Sequence, residues 1–271
     1  NIGCEFAKGE FLVFISGHCI PVKNDWIQQL VKPLIDNKAV YSYGQQIGRD
    51  TTKFSEQQVF KKFYPFQSQI PQTGYFCNNA NASLLKSAWL EQAFDENLTG
   101  LEDMWLAKQL VKKGEKIAYV AEAPVYHIHD ETWHKVKVRY EREAIALQHI
   151  IPNVHFTLKD FIYCSVNSIY LDLSIAVKER QFFHNFRKII MFRLMQYWGT
   201  YKGNLGHRKL SVKMKEEYFS QYMTKIILKN QYSTRGISQK SIGQVQATAP
   251  VARSFFREYS SKSHVCDLIH I

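Results

Sequence analysis

The 271-residue chain is 45% apolar and 14% aromatic, enough to bury a sizeable core, which excludes an intrinsically disordered chain. Its formal charge of +11 is lopsided: residues 1–130 carry 13 Lys+Arg against 14 Asp+Glu, and residues 131–271 carry 22 against 10, so the second half alone suits anionic partners. Five cysteines (Cys4, Cys19, Cys77, Cys164, Cys266) form an odd set without CxxC spacing, which argues for a reducing compartment and against a disulfide framework or a four-cysteine zinc site. No run of 18 apolar residues and no signal-peptide pattern occurs, so neither a membrane span nor export is required.

In chain order, Phe11-Leu-Val-Phe-Ile15 is an apolar run short enough for a buried parallel strand. It ends at Ser16-Gly17-His18, which puts polar side chains at the carboxyl end of a strand, where open α/β sheets bind ligands. Residues 24–34 read as an amphipathic helix with Trp26, Leu30 and Leu34 facing inward. A strand over 39–47 and a loop over 48–55 follow, then a short helix over 57–64 carrying Phe60, Phe63 and Tyr64. Residues 76–85 predict a strand unusually rich in asparagine, whose amides either line a polar cleft (Asn79, Asn81) or fix a bend.

Thr99 or Gly100 is expected to cap a helix that starts near Leu101 and ends at Gly114. Glu102 and Asp103 fall in its first turn, where the helix dipole favours acids. Asp103 heads the apolar stripe Leu106, Ala107, Leu110, whereas Glu102 shares a side with Trp105, Gln109 and Lys113. The pair is either a dipole-matching ornament or a catalytic acid or base. After a strand from Lys116, His127-Ile128-His129 places two imidazoles on one face, because side chains alternate along extended backbone. Such a pair with an aspartate suggests a zinc hydrolase, but Asp130 follows His129 directly and Glu131 occupies the place an aspartate would need. A charged helix over 135–149 contains Arg139-Tyr-Glu-Arg-Glu143.

From Ile151 the strand pattern stops. Helices are expected over 157–178, 180–200 and 208–230, with Gly199, Gly203 and Gly206 breaking the last two apart. The middle one mixes aromatics with Arg187, Lys188 and Arg193, so it either lies in a membrane interface or packs on the α/β part. The Ser-, Gln- and Lys-rich tail from 233 to 271 is expected to be loosely ordered.

Four of these pieces together resemble the second half of family 2 glycosyltransferases in their rhamnosyltransferase-like branch: Asn1-x-Gly3 through Ala7-x-Gly9-Glu10 before the first strand, Asn78-Asn-Ala-Asn81 with Phe94-Asp-Glu96 and Glu102-Asp103, the histidine that follows, and Arg139-Tyr-x-Arg-Glu143. The resemblance spans about residues 1–150. It implies the C-terminal part of a GT-A, Rossmann-like α/β domain, lacking the family's nucleotide-binding first strands, which would lie before Asn1. A helical extension (151–232) and a tail (233–271) then follow.

The resemblance further implies an inverting transfer of a sugar from a nucleotide-sugar donor to a hydroxyl of a glycan or lipid-linked acceptor. Asp103, beside Glu102, is the implied base. Ser16, His18, His129 and Arg139 are the expected donor contacts, and Asn79, Asn81 and Trp105 the expected acceptor contacts. The family's metal-binding Asp-x-Asp is replaced by Ser16 and His18. A divalent cation, Mg or Mn, is therefore held by His18 and His129, or else His18 touches the diphosphate itself. No nucleic-acid partner is expected. A cytoplasmic enzyme is implied, with peripheral contact to the inner membrane face through the basic half. The competing class is a non-enzymatic basic module that binds a membrane or nucleic acid.

Overall fold

The computed structural model describes residues 1–152 and 154–205. The helix expected over 208–230, the break at Gly206 and the tail from 233 lie outside them. The first part runs α1 (Ile2–Phe6), β1 (Phe11–Ile15), β2 (Cys19–Pro21), α2 (Trp26–Ile35), β3 (Tyr41–Ile47), α3 (Phe54–Phe63), β4 (Asn81–Leu85), α4 (Lys86–Glu91), α5 (Glu102–Lys112) and β5 (Ile117–His127). It is followed by α6 (Trp133–Ile150), α7 (Leu158–Lys178) and a further helix, α8, over 182–205.

The sheet order is β1-β4-β3-β5-β2. Only β3 and β5 run parallel; β4 is antiparallel to both β1 and β3, and β2 is antiparallel to β5. The central β3 is buried along six of its seven residues, as the apolar and small side chains of Tyr41-Ser-Tyr-Gly predict for a strand covered on both faces. β1 corrects its expectation: it is an antiparallel edge strand, with Val13 39% and Ile15 44% exposed, because β4 turns back beside it.

The main core collects Tyr41, Tyr43, Leu84, Leu106, Leu110, Ile117 and Tyr119 between the sheet and α5. Each such side chain contributes roughly 1.5–3 kcal/mol by leaving water. On the other face, Trp26 and Leu30 of α2 pack on Val120, Ala123 and Val125. Asn1 ties α1 to the loop before α5: its amide donates to the Phe94 carbonyl and its Oδ1 accepts from the Trp89 indole. Cys4, Cys19 and Cys77 are free thiols.

The helical part is built around α8. Its Phe192 packs on Val136 and Tyr140 of α6, its Ile189 on Phe54 and Ala176, and its Tyr197 on Phe156 and Cys164. Arg193, a basic side chain of the helix for which the sequence left both a membrane interface and packing open, is buried and paired with Asp172 of α7. The packing alternative is therefore the correct one for α8.

Gly199 and Gly203 do not break a helix. Both lie inside α8, and a Cβ on Gly199 would sit 2.2 Å from the Lys137 carbonyl oxygen, one on Gly203 2.5 Å from that of Glu141. They let two helix backbones touch. Gly199→Ala gains helix propensity in isolation, but the added methyl meets backbone that cannot rotate aside. We expect a net loss of about 1–3 kcal/mol, read as a lowered melting temperature, with α8 displaced from α6.

Candidate active site

Helix α5 is entered through Leu101 at φ 56, a left-handed conformation that costs a branched residue some strain, and no side chain caps the helix. Leu101, not Thr99 or Gly100, is the residue at the cap position, and Gly114, at φ 92, follows the helix end as expected. This entry swings Asp103 inward. One carboxylate oxygen accepts the backbone N–H of Asn79 at 2.7 Å and the other that of Met104 at 2.7 Å. Burial and then the neighbouring Glu102 push its pKa up to about 7, against the pull of the backbone donors. It is the protonation range a general base needs at neutral pH.

Across from it, the ends of β1 and β5 bring three imidazoles together. His18 and His127 approach Nε2 to Nε2 at 2.8 Å and stack, and the His127 and His129 ring centres are 4.1 Å apart. Period-two alternation thus does put both β5-end rings on one side.

The hydrogen bonds determine which nitrogens carry protons. Gln46 donates its amide to Asn78, so its Oε1 faces His127 Nδ1 at 2.5 Å as an acceptor. His127 Nδ1 therefore holds the proton, and its Nε2 offers a lone pair. Burial, with the nearby His129 and His18, pushes the His127 pKa down to about 2, so the ring is neutral. Burial likewise lowers His18.

His129 is oriented in the same way, by Glu56 of α3: Nδ1 lies 2.7 Å from Glu56 Oε1, which also accepts from Arg139 Nη2 at 2.7 Å. Burial raises the Glu56 carboxyl, but the hydrogen bond to His129 and the Arg139 charge outweigh it and hold the group below its usual range. Ser16 Oγ approaches His18 Nδ1 at 3.2 Å.

Ser16, Gln46 and the three histidines line one cleft of about 700 Å³, together with Glu102, Asp103, Asn79, Arg139, Arg142 and Glu143. A second hollow of about 640 Å³, under α1, shares Val13, Phe14, Asn79 and Glu102 with it. Of the residues singled out from sequence, Ser16, His18, Asn79, Glu102, Asp103, His129 and Arg139 are on the cleft wall.

Three expected roles are corrected. Asn81 is fully buried, its amide donating to the Gln45 and Ala123 carbonyls and its oxygen accepting from the Trp26 indole, so no group remains for an acceptor. Trp105 is outside the cleft, packed against the cores around α5. Arg139 reaches the cleft but is neutralised by Glu56 and Glu131, the latter 2.8 Å from Nη2. Arg142, one turn on, is exposed at the cleft and has no ion pair among the described residues.

Three residues that sequence reasoning gave no role complete the site: Glu143 and Gln46 on the cleft wall, and Glu56 behind it against His129 and Arg139. Glu143 is a half-buried carboxylate that burial pushes up to about 7, against the pull of Arg139 and Arg142. Glu56 and Gln46 are contributed from 73 and 81 residues away from the histidines they orient. His127 had a visible signal in its spacing from His129, and Glu143 in the Arg139-Tyr-x-Arg-Glu143 segment; Glu56 and Gln46 had none.

A divalent cation can be tested against this donor set. The ligand atoms of His18, His127 and His129 lie within 4.8 Å of one another, and Glu56, His129 and Glu131 form a second such group. His127 and His129 both direct Nδ1 at an oxygen acceptor, which leaves Nε2 of each as the ligand nitrogen, that of His127 facing His18 Nε2; outer partners impose this arrangement on metal-binding histidines. The residues fit. Imidazole nitrogen favours Mn over Mg, which prefers oxygen.

No protein-family model matches the chain, and no curated protein does. Two solved structures to which it is similar are GalNAc-T7 with UDP, GalNAc and Mn2+ (17% identity, TM-score 0.38, 72% of this chain and 41% of that one) and S. aureus TarS 1–349 in complex with UDP-GlcNAc (11% identity, TM-score 0.34, 74% of this chain and 70% of that one). The chain thus spans about two fifths of the GalNAc-T7 chain.

Proposed function

We propose that the chain is the C-terminal part of an inverting GT-A glycosyltransferase, moving a sugar from a nucleotide-sugar to a hydroxyl of a glycan or lipid-linked acceptor. The observation that carries this reading is the shared cleft: a buried carboxylate with its pKa raised to about 7 faces the same space as three convergent imidazoles.

Asp103 takes the proton from the acceptor hydroxyl as that oxygen attacks the anomeric carbon, and Asn79, on the cleft wall, hydrogen-bonds the acceptor. The departing nucleoside diphosphate gathers negative charge, which the exposed guanidinium of Arg142 stabilises. Arg139 acts indirectly, by anchoring Glu56, and Glu56 sets the orientation of His129. A divalent cation held by His18, His127 and His129 would supply Lewis-acid stabilisation of the diphosphate.

The pH dependence follows from the sign of the Asp103 shift. The base acts only when ionised, so transfer by the full-length protein falls about tenfold per pH unit below about 7 and levels off above it. Diphosphate released from a panel of nucleotide-sugars at several pH values checks both the class and the profile. No release from any donor, with no rise in melting temperature on adding UDP or GDP, overturns the reading.

A further inference from the structure

Helix α7 is turned inside out. Its inward side buries the polar Ser165, Ser168 and Asp172 beside Cys164 and Ala176. Its outward side exposes Ile162, Val166, Tyr170 and Val177 in one stripe, flanked by Tyr163 and Leu171, with Val166 63% and Tyr170 69% exposed. A helix on a water-facing surface has the opposite polarity. Twenty-one residues make the face about 30 Å long. Beyond its end, Phe183 of α8 is 91% exposed.

The rim of this face is basic. Lys159 and Lys178 stand exposed at its two ends, and Arg180, Arg187 and Lys188 continue past the second. The nearby acids are engaged: Asp160 closes the capping box with Thr157, and Glu179 pairs with Lys61 at 3.5 Å.

We propose that the outer face of α7 is a docking surface for an anionic lipid bilayer, on which the helix lies in the plane of the interface. The apolar stripe enters the headgroup boundary, the tyrosines sit at headgroup level, and the terminal lysines meet lipid phosphates. No described helix is long and apolar enough to cross a membrane, in keeping with a helix that lies flat. A second copy of the chain is the poorer occupant. Parallel pairing sets Lys159 on Lys159 and antiparallel pairing sets it on Lys178, like charge on like charge in both cases. The inference is independent of the reading of the cleft.

The test is sedimentation of the full chain with vesicles of phosphatidylcholine alone and with phosphatidylglycerol added. Wild type pellets with the anionic vesicles, less so at high salt. Val166→Glu with Tyr170→Glu abolishes binding without lowering the melting temperature, because both positions are exposed. Lys159→Gln with Lys178→Gln weakens binding on the order of fivefold for each lysine. The proposal is overturned by wild type staying in solution, by undiminished binding of the glutamate pair, or by a wild-type dimer that the glutamate pair dissolves. It is also overturned if the glutamate pair melts earlier, since the face would then be covered by the chain itself.

Discussion

Asp103→Asn is expected to lower transfer by the full-length protein by about 10²–10⁴ while donor affinity changes little. The carboxylate receives backbone N–H groups on both oxygens, so the variant retains one of these bonds and the shape of the site. Released diphosphate measures the loss, and calorimetric titration with the nucleoside diphosphate measures the retained affinity. Transfer near the wild-type rate removes Asp103 from the role of base. The same residue leaves a signature in stability. Its folded-state pKa, about 7, lies above the unfolded value, so the folded protein binds more protons between the two. Its favourable contribution is complete below the unfolded pKa and is lost as pH rises through about 7. Activity and this part of stability thus run in opposite directions with pH, as they should for a base kept ionised in a buried place.

The largest stability effect is expected at the ion pair between α7 and α8. Arg193 donates from Nε and Nη2 to the two oxygens of Asp172 at 2.8 and 2.9 Å, and both residues are buried. Taking two charges out of water is costly, so the intact pair adds little net stability; losing one member leaves a buried charge without its counter-ion. Asp172→Ala should therefore cost about 3–5 kcal/mol, and a chain of this size would melt on the order of 10 °C lower. Asp172→Leu combined with Arg193→Met should recover most of that loss. A double variant as unstable as the single one would show that the bidentate geometry itself, not the unmatched charge, holds the hairpin together.

How much of this was legible in the sequence depends on how local each cause is. Helix α5 and its terminal Gly114 could be read from periodicity and composition, and the shared side of His127 and His129 from their spacing. The position of β1 could not. A short apolar run looks the same in a central strand as at an edge, and only the antiparallel return of β4 decides. Asn81 was misread for a related reason: an asparagine that offsets its desolvation with the Trp26 indole and two carbonyls is indistinguishable, in sequence, from one that waits for a ligand. Glu56 and Gln46 act across long stretches of chain, and no local pattern announces them. The glycines of α8 were read by their usual propensity, whereas their cause is the neighbouring backbone of α6.

That backbone contact has a mechanical consequence. With no side chains cushioning Gly199 and Gly203 from Lys137 and Glu141, the hairpin and α6 form a stiff joint, and α6 is the bar on which Arg139, Arg142 and Glu143 ride. A load placed on the outer helices is delivered to the wall of the cleft with little slack to absorb it.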